Sequence, residues 1–258
     1  MDSYELLELE FEGKKVTSKL SVCPVVNCNC GDMSLEFNIP ALPLEIELNV
    51  YSREITADQD DSPAEDEDDN QLQQKFLRSI SEKQWEALFR RYMDMKRRQA
   101  TASRLEEYYY IFNFNGIEKE GELTTYCDVF PFDVPMEIES GSTILTVIDY
   151  HCLNPNCGCH DTAVEFVNLR DCPEDEDPQS FGIFMLDYQK QTWDLMPGEE
   201  DVLPGEIPMQ VLRNLVESQN PEFYKELANH HKKLKELYQV RRTQAKTGLQ
   251  KSGKKRRR

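Results

Sequence analysis

The sequence predicts an α+β protein made of two copies of an antiparallel, β-rich zinc-knuckle module, with one helix between the copies and two helices at the C-terminus. Three observations indicate this fold. A cysteine motif occurs twice, short segments of alternating hydrophobicity flank both copies, and helical periodicity is found in three other segments. With 258 residues, of which 39% are hydrophobic, the chain can build such a core.

The repeated motif has the spacing C-x4-C-x-C. Its copies, Val22 to Phe37 and His151 to Phe166, align without a gap at an offset of 129 residues. From the first cysteine to the phenylalanine, seven of fifteen positions are identical. The shared phenylalanine is expected to pack beneath the site, and the shared Asp32 and Asp161 to accept hydrogen bonds in the turn or to orient the ligands.

The eight cysteines predict zinc, in two sites. Three thiolates from a strand–loop–strand segment need a fourth ligand to complete a tetrahedron. Cys172 is the nearest candidate for the second site, and Cys127 would then complete the first and lock the two halves together. The converse pairing stays open, as does His151 or His160 as fourth ligand of the second site. The predicted metal ligands are Cys23, Cys28, Cys30, Cys127, Cys152, Cys157, Cys159 and Cys172.

The first module, residues 1–55, is expected to contain four strands. Alternating hydrophobicity and turn residues set their bounds: Tyr4–Phe11, Val16–Val22, Met33–Ile39 and Leu44–Tyr51. Residues 56–71 follow as a linker that carries eight acids and no base between Thr56 and Asn70. Such a segment buries too little apolar surface to order, so it is predicted to be mobile.

An amphipathic helix is predicted over residues 72–100, with Ser81 and Gln84 as a capping box. The second module, residues 101–200, is expected to hold the strands Glu107–Phe114, Ser142–Tyr150, Thr162–Leu169 and Phe181–Tyr188. Residues 201–246 are predicted to form two helices, Pro208–Ser218 and Pro221–Arg242. Residues 247–258 are predicted to be a disordered basic tail.

The charge is distributed unevenly along the chain. The formal net charge is −18, but residues 229–258 contain 12 Lys or Arg and one acid, which leaves −29 on residues 1–228. The tail is therefore expected to attract nucleic acid, through Lys251, Lys254, Lys255, Arg256, Arg257 and Arg258. The acidic N-terminus is unlike a secretory signal, and no apolar stretch reaches membrane-spanning length, so a cytoplasmic protein with reduced cysteines is expected.

The double knuckle, the TYCDVFPF segment and the basic C-terminal helix resemble uncharacterised bacterial cysteine-knuckle proteins, some of which end in a SEC-C zinc motif. The tail QKSGKKRRR is similar to the basic part of that ending, but no cysteine follows Cys172, so the SEC-C metal site itself is not expected. The resemblance implies association with nucleic acid or the ribosome.

These observations favour a zinc-binding interaction or adaptor protein that binds an unknown protein partner or nucleic acid. An enzyme is not favoured, because GxSxG, HExxH, P-loop and GxGxxG motifs are all missing. Two alternatives stay open. One is a metal-dependent hydrolase at the His151 and His160 end of the second knuckle, with Asp149 and Asp161. The other is an acidic mimic of nucleic acid.

Overall fold

The computed structural model of the chain describes residues 4–11, 13–39, 42–56, 67–169, 178–195 and 207–255. The chain divides into two compact units, residues 1–109 and 110–258. Both contain an antiparallel sheet followed by helices, so the predicted α+β class is confirmed. Within the described ranges, the helices are too short or too polar to cross a membrane.

The first unit is built on a five-stranded antiparallel meander. Its strands, in order, are β1 (Glu5–Phe11), β2 (Lys14–Val22), β3 (Asp32–Ile39), β4 (Leu42–Asn49) and β5 (Glu54–Ile55). The predicted alternation is clear in β4, where Ile46 and Leu48 are buried and Glu45 and Glu47 are exposed. Because alternate side chains point to opposite faces, one face of the sheet forms the core.

Two helices follow this sheet, α1 (Glu67–Ser79) and α2 (Glu82–Ala102), where the sequence predicted one helix over residues 72–100. α1 begins inside the predicted linker, because acids in the first turn of a helix interact favourably with its dipole. Residues 57–66 of that linker lie outside the described residues. The predicted capping box is confirmed, with Gln84 Oε1 accepting the Ser81 N–H at 2.9 Å, and it starts a new helix at this point.

The helices close the apolar face of the first sheet. Phe76 of α1 packs edge-on against Phe37 of β3, with ring centroids 5.0 Å apart. Trp85, Leu88 and Tyr92 form the buried face of α2, as the apolar periodicity predicted. Phe37 is 2% exposed and lies in the core of the first unit, while its expected place beneath the metal site stays a prediction.

The second unit contains a six-stranded antiparallel sheet. Its strands are β6 (Leu123–Thr125), β7 (Met136–Ser140), β8 (Thr143–Cys152), β9 (Asp161–Asn168), β10 (Gln179–Asp187) and β11 (Thr192–Leu195). The order is β11-β10-β9-β8-β6, and β7 also pairs with β8. Phe166 is fully buried in the core and stacks on Trp193 at 6.0 Å.

The strand predicted over Glu107–Phe114 is wrong. The chain forms a 3-10 turn at Leu105–Glu107, an irregular stretch, a π-helical turn at Gly116–Glu120 and then a short helix, α3 (Tyr126–Val129). Aromatic residues favour strands only where a sheet receives them. Phe112 instead packs its ring edge-on against Tyr238, with centroids 5.3 Å apart.

The second sheet is followed by α4 (Met209–Gln219) and α5 (Phe223–Lys255). α5 continues well past Arg242, so the backbone of the predicted disordered tail is helical as far as Lys255. Good helix formers explain this, because Gln, Ala, Lys and Leu outnumber the glycines between residues 243 and 255. Arg256, Arg257 and Arg258 lie outside the described residues.

The sequence repeat is part of a larger structural repeat. The β1–β2 pairing has the same register as the β7–β8 pairing, and the β2–β3 pairing has the same register as the β8–β9 pairing. In each case the partner residues of the second sheet are those of the first sheet plus 129. β4–β5 and β10–β11 are both joined by four-residue turns, whose last residues, Arg53 and Gln191, have φ of 58° and 57°. Two helices follow in each unit. The duplicated element thus extends beyond the knuckle to five antiparallel strands, β1–β5 in the first unit and β7–β11 in the second.

Candidate metal centres

The first knuckle brings its three cysteines together in the loop between β2 and β3. The sulfur atoms of Cys23, Cys28 and Cys30, called the first trio below, all lie within 4.8 Å of one another. A turn closed by the Cys28 N–H and the Val25 carbonyl, 3.1 Å apart, returns the chain towards Cys23. The Asp32 N–H lies 3.5 Å from Cys30 Sγ, an arrangement that favours thiolate.

Side chains from the sheet and from α2 hold this loop. Gly31 has φ of +79°, and its N–H donates to the Tyr92 hydroxyl at 3.2 Å. An added Cβ at Gly31 would lie 2.3 Å from the Tyr51 ring, so a side chain does not fit. Asn49 Nδ2 donates to the Cys30 carbonyl at 2.6 Å and to Asp32 Oδ1 at 2.9 Å. Asp32 thus accepts a hydrogen bond from the Asn49 side chain, whereas the sequence predicted backbone N–H donors in the turn or a role in orienting the ligands.

A buried lysine also contacts the first knuckle. Lys96 of α2 is 0% exposed, and its ammonium group donates to the carbonyls of Val25 at 2.6 Å and of Cys23 at 3.2 Å. Burial lowers the pKa of Lys96, and negative charge on the three cysteines opposes that shift. The ammonium group is therefore placed to stabilise thiolate in the first trio.

The second knuckle repeats the geometry between β8 and β9. The sulfurs of Cys152, Cys157 and Cys159, the second trio, lie within 4.8 Å of one another. The turn recurs, with the Cys157 N–H donating to the Asn154 carbonyl at 3.0 Å. Lys235 of α5 acts electrostatically on Cys157.

The thiols of each trio cannot all ionise without a cation. Burial, followed by hydrogen bonding between the sulfurs, raises the pKa of Cys159 to about 12, and burial is also the main reason that the pKa of Cys30 rises to about 12. The pKa of Cys157 is lowered, chiefly by hydrogen bonds from Cys159. A metal ion replaces these protons and compensates the charge of three close thiolates. The donor set therefore fits zinc, which prefers thiolate ligands.

Histidines surround the second trio without joining it. His231 Nε2 donates to the Cys152 carbonyl at 2.7 Å, and the Tyr188 hydroxyl donates to His231 Nδ1 at 2.8 Å. Burial lowers the pKa of His231 to about 4, so its imidazole is neutral near pH 7. His160 is exposed, with Nδ1 3.5 Å from the Tyr188 hydroxyl. His151 belongs to a different group of side chains.

That group is formed by Asp149, His151 and His230, whose ligand atoms lie within 4.8 Å of one another. Asp149 and His151 were considered from sequence as part of a hydrolytic site with His160 and Asp161. Among the described residues, the third member of this group is His230, and His160 and Asp161 lie outside it.

The remaining predicted ligands and contacts stay predictions. Cys127 is exposed on α3 and is not part of the second trio, and Cys172 lies outside the described residues. Lys251, Lys254 and Lys255 lie on the helical backbone of α5, and their side chains are outside the described part of the chain.

Sequence reasoning missed two residues near these centres, Lys96 and His230. Both lie on helices, far in sequence from their partners. A lysine at a buried position of an apolar stripe was the available signal for Lys96. His230 gave none, since it stands beside a second histidine among lysines.

No protein-family model, curated protein or solved structure matches this chain.

Proposed function

We propose that the protein is a zinc-binding interaction or adaptor protein in which each unit holds one structural zinc ion. The observation that supports this is the pair of three-cysteine groups, placed at the same register in two equivalent sheets. Because the cysteine groups recur together with the strands that support them, a role in stabilising the fold is favoured.

The position of the knuckles supports a structural role for the metal. Each connects two neighbouring strands of its sheet, β2 to β3 or β8 to β9, and helix side chains contact its backbone. A zinc ion bound by thiolates closes the loop between those strands and contributes its binding free energy to folding. Cys127 and Cys172 are the proposed fourth ligands, and four thiolates leave no open position for a substrate.

The proposed partner surface is the C-terminal end of α5. The basic residues from Lys251 to Arg258 would contact phosphate groups, while the strongly acidic remainder of the chain repels nucleic acid elsewhere. A protein partner is the other proposed ligand of the adaptor. Unoxidised thiols require a reducing compartment, for which we propose the cytoplasm.

Zinc content and X-ray absorption of the purified protein test the metal proposal. We expect two zinc ions per chain with a coordination shell dominated by sulfur. Cys127→Ser and Cys172→Ser, measured separately, should each add one non-sulfur ligand at one zinc if these residues complete the sites. Fewer than two zinc ions, or a shell dominated by nitrogen and oxygen, would refute the proposal.

The tail proposal is tested by removing charge without removing residues. A variant with Gln at Lys251, Lys254, Lys255 and the three arginines keeps length and helix propensity but loses six positive charges. Binding to single-stranded RNA should be lost or reduced by orders of magnitude, and the salt dependence should fall by about 0.7 in log–log slope for each contact removed. Unchanged RNA affinity at the same salt concentration would refute the tail as the binding surface, with zinc content as the control for folding.

A further inference from the structure

A cluster of ionisable side chains in the second unit is separate from both trios. Asp149 and His151 are two residues apart on β8 and therefore point to the same face of that strand, and His230 comes from α5. The Asp149 carboxylate accepts hydrogen bonds from His151 Nε2 at 2.6 Å and from His230 Nδ1 at 2.8 Å. Two imidazoles and one carboxylate thus converge in a small volume.

The cluster carries charge in the protein interior. The side chains of Asp149, His151 and His230 are 4%, 0% and 17% exposed. Burial raises the pKa of Asp149, but hydrogen bonds from both histidines outweigh this and bring it to about 2, so the carboxylate is ionised near pH 7. A buried carboxylate is costly without a compensating positive charge. The other ring nitrogen of His151, Nδ1, is buried and has no hydrogen-bond partner among the described residues.

The first unit shows that this fold does not need the cluster. At the offset of 129, Asp149 corresponds to Leu20 and His151 to Val22, and the strand pairing around them is the same. Leu20 is 0% exposed. The position that the apolar Leu20 occupies in the first sheet is therefore occupied by the ionised Asp149 in the second. A costly polar group found at only one of two equivalent positions indicates a role other than folding.

We propose that Asp149, His151 and His230 form a further metal site, which binds a divalent first-row transition-metal ion through nitrogen and oxygen. Imidazole and carboxylate together are typical ligands of such ions, whereas the trios offer only thiolate. The ion would replace the two hydrogen bonds to the carboxylate and compensate its negative charge. Three protein ligands leave positions for water, and the partly exposed His230 gives solvent access to the site.

Cobalt(II) distinguishes this site from the trios. Thiolate bound to cobalt gives a strong near-ultraviolet charge-transfer absorption, which imidazole and carboxylate do not. The full chain, freed of metal and reloaded with cobalt, should bind one ion per chain beyond those that the thiolate absorption accounts for. His230→Gln should lose that one ion with the thiolate absorption unchanged, and His160→Gln, outside the cluster, should keep the wild-type count.

A double variant guards against misfolding. The variant that combines Asp149→Leu with His151→Val carries the residues found at the equivalent positions of the first unit, Leu20 and Val22, so its sheet should fold. It should lose the same cobalt ion as His230→Gln. Equal cobalt counts in the wild type, His230→Gln and the double variant would overturn the proposal. A loss of thiolate absorption would instead concern the trios, so the two proposals fail independently.

A measurement without any variant gives the final test. In protein labelled with nitrogen-15 histidine, saturating zinc should shift the ring-nitrogen resonances of His151 and His230 and leave those of His160 near their metal-free positions. If zinc fills both trios and the resonances of His151 and His230 do not shift, then Asp149, His151 and His230 are joined by hydrogen bonds alone. The proposal would then be wrong.

Discussion

Replacing Lys96 by methionine should weaken zinc binding at the first trio much more than it destabilises the metal-free protein. Methionine has a similar length and is apolar, so it fills the buried position but removes the charge. In the zinc-bound state three thiolates outweigh the charge of the metal ion, and the ammonium group compensates the difference. In the metal-free state the Cys30 thiol stays protonated near pH 7 and needs no such compensation, because burial raises its pKa to about 12.

The magnitudes follow from the contacts of Lys96. Two charge-assisted hydrogen bonds, at 2.6 and 3.2 Å, are each worth about 1.5–3 kcal/mol. Burying an ammonium group costs several kcal/mol, so gain and loss largely cancel in the metal-free protein, and its unfolding free energy should change by no more than about 2 kcal/mol. Zinc affinity should fall about 10–100-fold, as for other groups that support metal ligands, which corresponds to about 1.4–2.8 kcal/mol.

The assay is a zinc titration against a competing chelator, with urea unfolding of the metal-free protein in parallel. Lys235→Met is the matched variant for the second trio, and it should have the smaller effect because Lys235 is half-buried. Each variant should weaken zinc binding in its own unit. Zinc affinity within about twofold of wild type for Lys96→Met, together with a large loss of unfolding free energy, would refute the electrostatic reasoning and leave Lys96 as a hydrogen-bond anchor.

Three further outcomes are expected. Cys28→Ser should release one zinc ion and reduce amide-exchange protection in the first unit, whereas Cys157→Ser should do the same in the second; equal loss in both units would contradict separate sites. Gly31→Ala should lower the unfolding free energy by more than about 2 kcal/mol, because the added Cβ would lie 2.3 Å from the Tyr51 ring. Gly13→Ala, at φ of +72° with open space around the added Cβ, should lower it by only about 1 kcal/mol. Similar losses for the two variants would show that the contact with Tyr51 is unimportant. His231 has a folded-state pKa of about 4, below the unfolded value of about 6.5, so below pH 6.5 the unfolded chain binds the extra proton and stability falls by up to about 3 kcal/mol by pH 4. His231→Gln should flatten that pH profile in urea unfolding, and an unchanged profile would refute the assignment.

Local patterns were enough to predict the trios and most strands. The C-x4-C-x-C spacing lies in a single loop, so the distances between its sulfur atoms depend mainly on that loop and the two strands beside it. The alternation in β4 and the helical stripe of α2 likewise reflect one buried face each. In these cases the information is contained in about ten consecutive residues, and tertiary packing agrees with it.

Where tertiary packing determines the local structure or the position of a side chain, the sequence patterns gave a wrong prediction or none. The aromatic run before Phe114 has high strand propensity, yet Phe112 is buried against Tyr238 of α5, which no local pattern could indicate. The place of Lys96 was equally hidden, because its carbonyl partners lie more than seventy residues earlier in the chain. A buried ammonium group beside cysteines can be recognised only when the helix is seen against the knuckle.

The structural repeat separates what the fold requires from what has been added to it. Both units share the strand register, the four-residue turn and the sulfur trio, so these parts are sufficient for a sheet that closes around a knuckle. Among the residues that the structure describes, the Asp149 cluster is found in the second unit alone, where Asp149 takes the place of the apolar Leu20. Its energetic cost cannot be assigned to the needs of the sheet, because the first unit folds the same strands without it. The two thiolate sites are therefore best tested by stability, and the Asp149 cluster by what it binds.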